Sequence, residues 1–472
     1  PYSAPDEQFH INQSFTLAST IYNPYLPVAQ SQIHSSLRRP SDVDVIVQDG
    51  ETTVFTWQHI AKNLLTTNSD PFTHTQDYDE YQVDSSYTMY WISAFGVLAG
   101  FLLRLGFIPT LFLGRLANLV FFAFLAAWAV KRTPVAKAVF AAVALLPMTL
   151  HLVASYSRDS NLLALCLLFA ALVLDLAFGP RENIGWKQLI LPALAGLLIV
   201  PSKIVYFPLA LLVFLIPAAR LGRYSKAVKG GFLALCLAVF FFSAGGQVIL
   251  NDFVSGSTQV AAGAASSSVS SEITAPAPSA PESSAQSAAS APESSEETAA
   301  PQTEEAAVQD DSVCYTLPYI LSHPLDTLEL AIRSVVENGD HYVKTLIGGT
   351  LSYFDPGVQI AWTWVAALMI LLVLAWLQPG FELPVWAKAL CLLIGLACCG
   401  LAVLGCISWT PTYYTTIYGL QGRYFLPVLS LLLLARPKRL LLQTDCTRGL
   451  VYAVTLVDLL VLLNAFLSIL AR

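Results

Sequence analysis

The stretch SNLLALCLLFAALVLDLAFG, residues 160–179, decides the class of fold. It carries one charged residue, Asp175, and it matches the roughly 20 apolar residues that a helix needs to cross a hydrocarbon core about 30 Å thick. The whole chain has the same character, because 55% of its 472 residues are hydrophobic and 12% are charged. Soluble domains carry about 25% charged residues. The sequence therefore predicts an all-α polytopic integral membrane protein.

Other long apolar runs accompany this one: 110–131, 134–155, 188–219, 230–250, 358–377, 386–406, 422–435 and 449–470. A shorter run, 87–104, ends at Arg104. The run 188–219 is interrupted at Pro201-Ser202-Lys203, and we expect a pair of short helices there. Helices broken at membrane depth are tolerated where they line a polar cavity. Lys203 is therefore a candidate functional residue.

The distribution of basic residues orients the chain, because cytoplasmic loops are enriched in Lys and Arg. If 87–104 lies along the membrane surface, the basic loops share one side, which is then cytoplasmic: 131–137, 181–187, 219–229 and 436–448. A crossing at 87–104 would scatter these loops over both faces. Two charges inside the apolar runs, Asp175 and Asp458, are placed by this topology near cytoplasmic helix ends.

Four parts follow from this topology. Residues 1–109 form an extracytoplasmic first loop with juxtamembrane helices, 110–250 and 358–472 are transmembrane helices, and 251–357 is a second outer loop. Within that loop, about 254–314 contains no aromatic residue, Lys or Arg, which predicts a disordered insertion. The apolar period that resumes after the insertion predicts an amphipathic helix against the bilayer.

Several polar residues converge on the predicted outer face: Asp6, Glu7, His10, Arg158, Asp159, Lys203 and Arg423. A single such residue is equally well explained by snorkelling or by an ion pair. Three cations with a carboxylate pair favour a common site. On a helix, His10 shares one face with the two acids at the start of the chain.

Cations at an outer leaflet suit a phosphate or diphosphate, since Arg offers bidentate contacts and Lys a point charge. A neighbouring carboxylate can accept the proton of an attacking hydroxyl. This combination fits sugar transfer from a lipid phosphate. A divalent metal is compatible with the acids but not required, so the metal stays unknown. The sequence contains no phosphate-binding loop, dinucleotide fingerprint, zinc-protease motif or nucleophile elbow.

Five short motifs follow one another along the chain, and their order is more specific than any one of them: PDEQFH (5–10), YTMYWISAFGVLAGFLLRLGF (87–107), GRLANL (114–119), SYSRDS (155–160) and QGRYFLP (421–427). Together they resemble a bacterial membrane family catalogued as domain of unknown function 2142. That family is similar to the GT-C glycosyltransferases, such as protein O-mannosyltransferases and the lipid A aminoarabinose transferase. The resemblance covers nearly the whole chain apart from the insertion.

This resemblance implies a GT-C-like helix bundle in a bacterial plasma membrane, with its active face extracytoplasmic. The donor is then a polyprenyl-phosphate sugar, and the acceptor an envelope glycan, lipid or protein; membrane lipids surround the bundle and no nucleic acid is involved. In GT-C relatives a helix precedes the acidic motif, and we expect this chain to begin just after it.

The resemblance also implies roles for single residues. Asp6 matches the acid proposed as catalytic base and Glu7 its neighbour. Arg158 matches the basic element of the second outer loop, and with Lys203 and Arg423 it is expected to bind the donor phosphate. The expected supporting residues are His10, Asp159, Gln421 and Tyr424.

Two other functions stay open from the sequence. A lipid-linked saccharide transporter or flippase component needs a polar path through the helices, for which the sequence offers few intramembrane charges. A non-enzymatic envelope assembly protein would use residues 1–86 as a binding module.

Overall fold

The computed structural model describes residues 7–22, 65, 89–243, 314–351, 360–380, 382–436 and 444–470. Within these ranges the chain is helical, and an isolated antiparallel bridge joins Cys314 to Pro411. Asp6, most of the Ala/Ser/Pro/Glu-rich insertion and most of the first loop lie outside the described residues. The predicted all-α membrane fold is confirmed for the described part of the chain.

The α-helices of the described ranges are, in chain order, α1 (Glu7–Tyr22), α2 (Trp91–Leu102), α3 (Phe107–Arg132), α4 (Lys137–Ala144), α5 (Pro147–Val153), α6 (Asp159–Phe178), α7 (Trp186–Ile199), α8 (Ala218–Leu221), α9 (Ser225–Phe242), α10 (Leu317–Ser322), α11 (Pro324–Ile347), α12 (Trp362–Trp376), α13 (Val385–Ile407), α14 (Leu426–Leu432) and α15 (Thr447–Leu470). Segments of 3₁₀ helix span Ile204–Leu215, Gly222–Tyr224 and Gly422–Phe425.

Helix α6 is the central element of the bundle. It is apolar on all sides, and 89% of its most apolar stretch is buried inside the protein. Such a helix is stable only when neighbours surround it, and α3, α7, α14 and the 3₁₀ segment Ile204–Leu215 do so. Its first residue, Asp159, is thereby held in the interior of the bundle, with 8% exposure.

Five helical stretches are long and apolar enough to cross a membrane: Ile108–Arg132, Asp159–Phe178, Ala218–Phe242, Val385–Ile407 and Thr447–Leu467. Shorter apolar helices fill the space between them. The predicted break in 188–219 is confirmed, because α7 ends at Ile199 and the next helical segment begins at Ile204. Lys203 occupies this break.

The apolar run 134–155 contains two helices, α4 and α5, since Pro147 has no amide hydrogen to continue the α4 ladder and clashes with the preceding turn. One placement made from the sequence is wrong. Asp458 does not lie near a cytoplasmic helix end but halfway along α15, because the helix covers the whole apolar run 449–470 and Asp458 lies in the middle of that run.

Helix α2 lies within the run 87–104, which the sequence predicts to lie along the membrane surface. Its 12 residues extend about 18 Å, which is too short to cross the hydrocarbon core. It packs tightly on α3 at Gly96, where a Cβ atom would lie 2.4 Å from the carbonyl oxygen of Leu113. Small residues at such a contact let two helix backbones approach closely.

The amphipathic helix predicted after the insertion is α11. Its apolar side is open to the surroundings, with Leu325 77% and Val336 78% exposed, as expected for a helix that lies on a bilayer. Its polar side anchors the segment before α14, where Thr345 Oγ1 accepts a hydrogen bond from the Gly422 amide at 2.8 Å. This contact fixes the position of Arg423.

Candidate functional site

Glu7 is the first residue of α1, is held by hydrogen bonds and is 2% exposed. Its Oε1 accepts hydrogen bonds from Arg115 Nε at 3.0 Å and Nη2 at 2.7 Å, and from the Tyr156 amide at 3.1 Å. One carboxylate oxygen thus ties α1 to α3 and to the turn before α6. Glu7 is therefore an anchor for the start of α1, held by a nearly buried ion pair with Arg115.

Arg115 is a functional candidate that the sequence reasoning missed. The signal was present, because a lone Arg inside the apolar run 110–131 needs a partner at that depth. The sequence alone does not say which of the many acids supplies it. The structure assigns it to Glu7, which lies 108 positions away in the chain.

His10 lies one turn after Glu7 on the same face of α1 and is 8% exposed. Its Nδ1 is 2.6 Å from the hydroxyl of Tyr90, just before α2. Burial, aided by the positive charge of Arg158, lowers the pKa of His10 from 6.5 to about 3. The imidazole is therefore neutral at pH 7, and the surrounding cations favour this neutral form.

The cations of the site collect around the Tyr424 ring. Lys203 Nζ lies 5.3 Å and the Arg423 guanidinium carbon 5.2 Å from the ring centroid. Lys203 also forms an ion pair with Asp159, with a Nζ–Oδ1 distance of 2.5 Å. The hydroxyl of Tyr206 donates to the Tyr424 carbonyl at 2.7 Å and holds this segment in place.

Arg423 is the deepest cation of the group, with 7% exposure. Its Nε is buried and has no hydrogen-bond partner among the described residues. A buried guanidinium N–H without an acceptor is costly. The site therefore offers at least one unused donor to an anionic ligand.

Arg158 completes the group at the entrance to α6, where it is half-buried. The charges of Arg158, Asp159, Lys203 and Arg423 all act on the His10 ring, which places the five residues in one neighbourhood. Three cations and one carboxylate leave this neighbourhood net positive among the described residues. It is suited to an anion with more than one negative charge.

Serine side chains shape the turn that carries Arg158. Ser157 Oγ accepts the Asp159 amide hydrogen at 3.2 Å, and Ser155 Oγ accepts that of Ser157 at 3.1 Å. These bonds satisfy donors at the start of a helix, as N-terminal serines commonly do. Asp159 also sits in the first turn of α6, where a negative charge is favoured by the helix dipole.

The site residues predicted from the sequence fall into three groups. The structure brings together His10, Arg158, Asp159, Lys203, Arg423 and Tyr424. Glu7 lies beside them but is engaged by Arg115. Gln421 is half-buried, with its carbonyl accepting the Tyr424 amide hydrogen at 3.2 Å, and Asp6 lies outside the described residues.

Metal ligation has little support from the described residues, which contain no group of three His, Cys, Asp or Glu side chains able to hold an ion. The nearest acids to the cations, Asp159 and Glu7, each have a cationic partner. The donor set of the described site fits an anionic ligand better than a cation.

These observations define a class: an all-α membrane protein with a cationic, tyrosine-containing site at one end of its helix bundle. The chain belongs to the family described as predicted membrane protein (DUF2142), whose family model matches residues 1–275 and 287–432. The interruption at 276–286 falls in the Ala/Ser/Pro/Glu-rich segment. No match to the chain was found among curated proteins or among solved structures.

Proposed function

We propose that this protein is a membrane glycosyltransferase of GT-C type that transfers a sugar from a polyprenyl-phosphate donor to a cell-envelope acceptor on the extracytoplasmic face. The observation that carries the proposal is the cation cluster of Arg158, Lys203 and Arg423 near the N-terminal end of α6. A lipid phosphate enters such a site from the bilayer with its charged end at that depth.

The proposed reaction is an inverting displacement at the anomeric carbon. The acceptor hydroxyl oxygen forms the new bond opposite the phosphate, and the bond between the anomeric carbon and the phosphate oxygen breaks. Its electron pair leaves with the lipid phosphate, whose charge Arg158 and Arg423 stabilise. Asp6 takes the hydroxyl proton as general base.

Glu7 receives a different role from the one the sequence suggested. Its Oε1 accepts three hydrogen bonds, two of them from Arg115. The oxygen that makes these bonds is occupied by its partners and is not directed at an acceptor hydroxyl. We assign Glu7 as a positioning residue that fixes the start of α1, and we leave proton abstraction to Asp6.

The test uses purified protein in nanodiscs with a labelled polyprenyl-phosphate sugar and measures transfer to acceptor. Arg423→Gln and Arg158→Gln should each lower transfer by roughly 10- to 150-fold, because a hydrogen bond to a charged group contributes about 1.5–3 kcal/mol. Asp6→Asn should abolish transfer while donor binding persists.

A matched control removes an arginine from the opposite end of the bundle. Arg181 pairs with Asp175 at 3.2 Å and is 40% exposed, so Arg181→Gln should leave transfer unchanged. Full activity of both Arg423→Gln and Arg158→Gln would refute the proposed phosphate site.

The transporter alternative gains one observation from the fold, the buried Asp458 halfway along α15. Ionisable residues at that depth often mark transport pathways. Reconstituted protein that moves a lipid-linked saccharide across the bilayer, with its sugar–phosphate bond intact, would favour this function over transfer.

A further inference from the structure

Asp458 is a buried acid that the proposed sugar transfer does not use. It lies halfway along α15, one of the helices long enough to cross the membrane, and it is 3% exposed. Neither of its carboxyl oxygens has a hydrogen-bond partner among the described residues. Those residues also provide no ion-pair partner within 4 Å.

The helices packed most closely against α15 are α12, α4 and α5. Helix α12 carries no ionisable side chain, and the other two carry one each, Lys137 at the first residue of α4 and His151 in α5. Helix α15 contacts both α4 and α5, so it packs across the junction at Pro147 where α5 begins. Backbone carbonyls at such a break lose their helical partners.

The apolar surroundings of Asp458 decide whether its carboxyl group is ionised or protonated. An ionised carboxylate without partners in an apolar interior costs far more than the neutral acid, which has only a hydroxyl and a carbonyl to satisfy. We propose that Asp458 is a proton-binding site within the helix bundle, loaded at neutral pH, on the helix that packs across the α4–α5 break. Its ligand is a proton, exchanged with water or a polar group that reaches this depth.

The proposal stands apart from the sugar-transfer proposal, and it can be tested by chemical modification. A protonated carboxyl group adds across a C=N bond of dicyclohexylcarbodiimide, and the O-acylisourea then rearranges to a stable N-acylurea. The reagent dissolves in the bilayer and does not react with an ionised carboxylate in this way. Labelling at neutral pH therefore reports a proton on an acid at membrane depth.

Mass spectrometry can locate the label without ambiguity. Trypsin cuts after Arg448, and the peptide 449–472 contains Asp458 as its one acidic side chain. Wild-type protein in nanodiscs at pH 7 should gain one carbodiimide adduct on this peptide, at least tenfold above Asp458→Asn. The adduct should fade as the pH is raised and the carboxyl group loses its proton.

An accessible acid supplies the matched control. Asp445 is exposed just before α15, so a water-soluble carbodiimide with an amine nucleophile should modify Asp445 and leave Asp458 unmodified. Asp458→Asn mimics the neutral acid and should fold normally by circular dichroism. An unlabelled wild-type peptide, or equal labelling of Asp458→Asn, would overturn the proposal.

A second readout does not depend on reagent access. Infrared difference spectra of wild type minus Asp458→Asn should show the carbonyl band of a protonated carboxylic acid at pH 7. A carboxylate band in its place would also overturn the proposal.

Discussion

Arg115→Ala should release helix α1 from the bundle, because it leaves Glu7 buried without its cation. Glu7 has 1% and Arg115 14% of its side chain exposed. Removing one partner of a buried ion pair costs about 3–5 kcal/mol. The small exposure of Arg115 places the expected value near the lower end, about 3 kcal/mol.

This free energy shifts the equilibrium between packed and detached helix α1. Helix α1 contacts the bundle mainly through α2, so its detachment does not require the core around α6 to open. A cost of about 3 kcal/mol raises the equilibrium constant for α1 detachment roughly 150-fold. The structure attributes this loss to the uncompensated carboxylate, so Glu7→Gln in the Arg115→Ala background should recover much of it.

Hydrogen exchange followed by mass spectrometry in nanodiscs measures the effect directly. Amides of α1 should exchange much faster in Arg115→Ala, while amides of α6 stay unchanged. Arg181→Ala removes a partner of Asp175 that is 40% exposed, and exposed pairs contribute only about 0–1 kcal/mol. Unchanged α1 exchange in Arg115→Ala, or loss of protection throughout the protein, would refute the anchoring role of Glu7.

Further changes probe other parts of the site. Gly422→Ala should lower the melting temperature, because a Cβ atom at this position collides with the backbone carbonyl of Tyr342. The expected cost in stability is about 1–3 kcal/mol. The control is Gly230→Ala, which has open space around the added Cβ atom and should not destabilise the protein. The pKa of His10 is lowered to about 3 in the folded protein, so its contribution to stability is present above pH 6.5 and is lost as the pH falls toward 3. The protection of α1 at pH 5 should therefore be about 2 kcal/mol weaker than at pH 7, a slope that His10→Gln should abolish. Asp159→Asn removes the carboxylate of the 2.5 Å ion pair, so binding of a short-chain polyprenyl phosphate should tighten while the melting temperature falls; weaker phosphate binding would contradict the net-positive site.

Much of the fold was predictable because membrane insertion imposes strong local rules. Helix α6 and the break before Lys203 both follow from apolar run length and from proline placement. The break between α4 and α5 lies at Pro147, inside the apolar run 134–155. A proline inside such a run indicates a break in the same way as Pro201 does, so this break was also open to prediction.

The candidate site was predictable in composition but not in its pairing. Residue type and topology place Arg158, Lys203 and Arg423 at one end of the bundle, because each sits at a helix terminus on the same predicted side. Nothing in the local sequence indicates that Glu7 pairs with Arg115 or that Lys203 pairs with Asp159. Such partners are chosen by the packing of distant helices.

The sequence by itself determined that this chain is a membrane protein, which long apolar segments are helical and which polar residues lie at helix ends. Those properties depend on hydrophobicity and helix length, which are local and additive along the chain. Only the tertiary structure decided which charges neutralise one another, that His10 is buried beside Tyr90, and that Asp458 is buried without a hydrogen-bond partner among the described residues. These outcomes depend on burial and on distances between helices, and electrostatic energies change steeply with both.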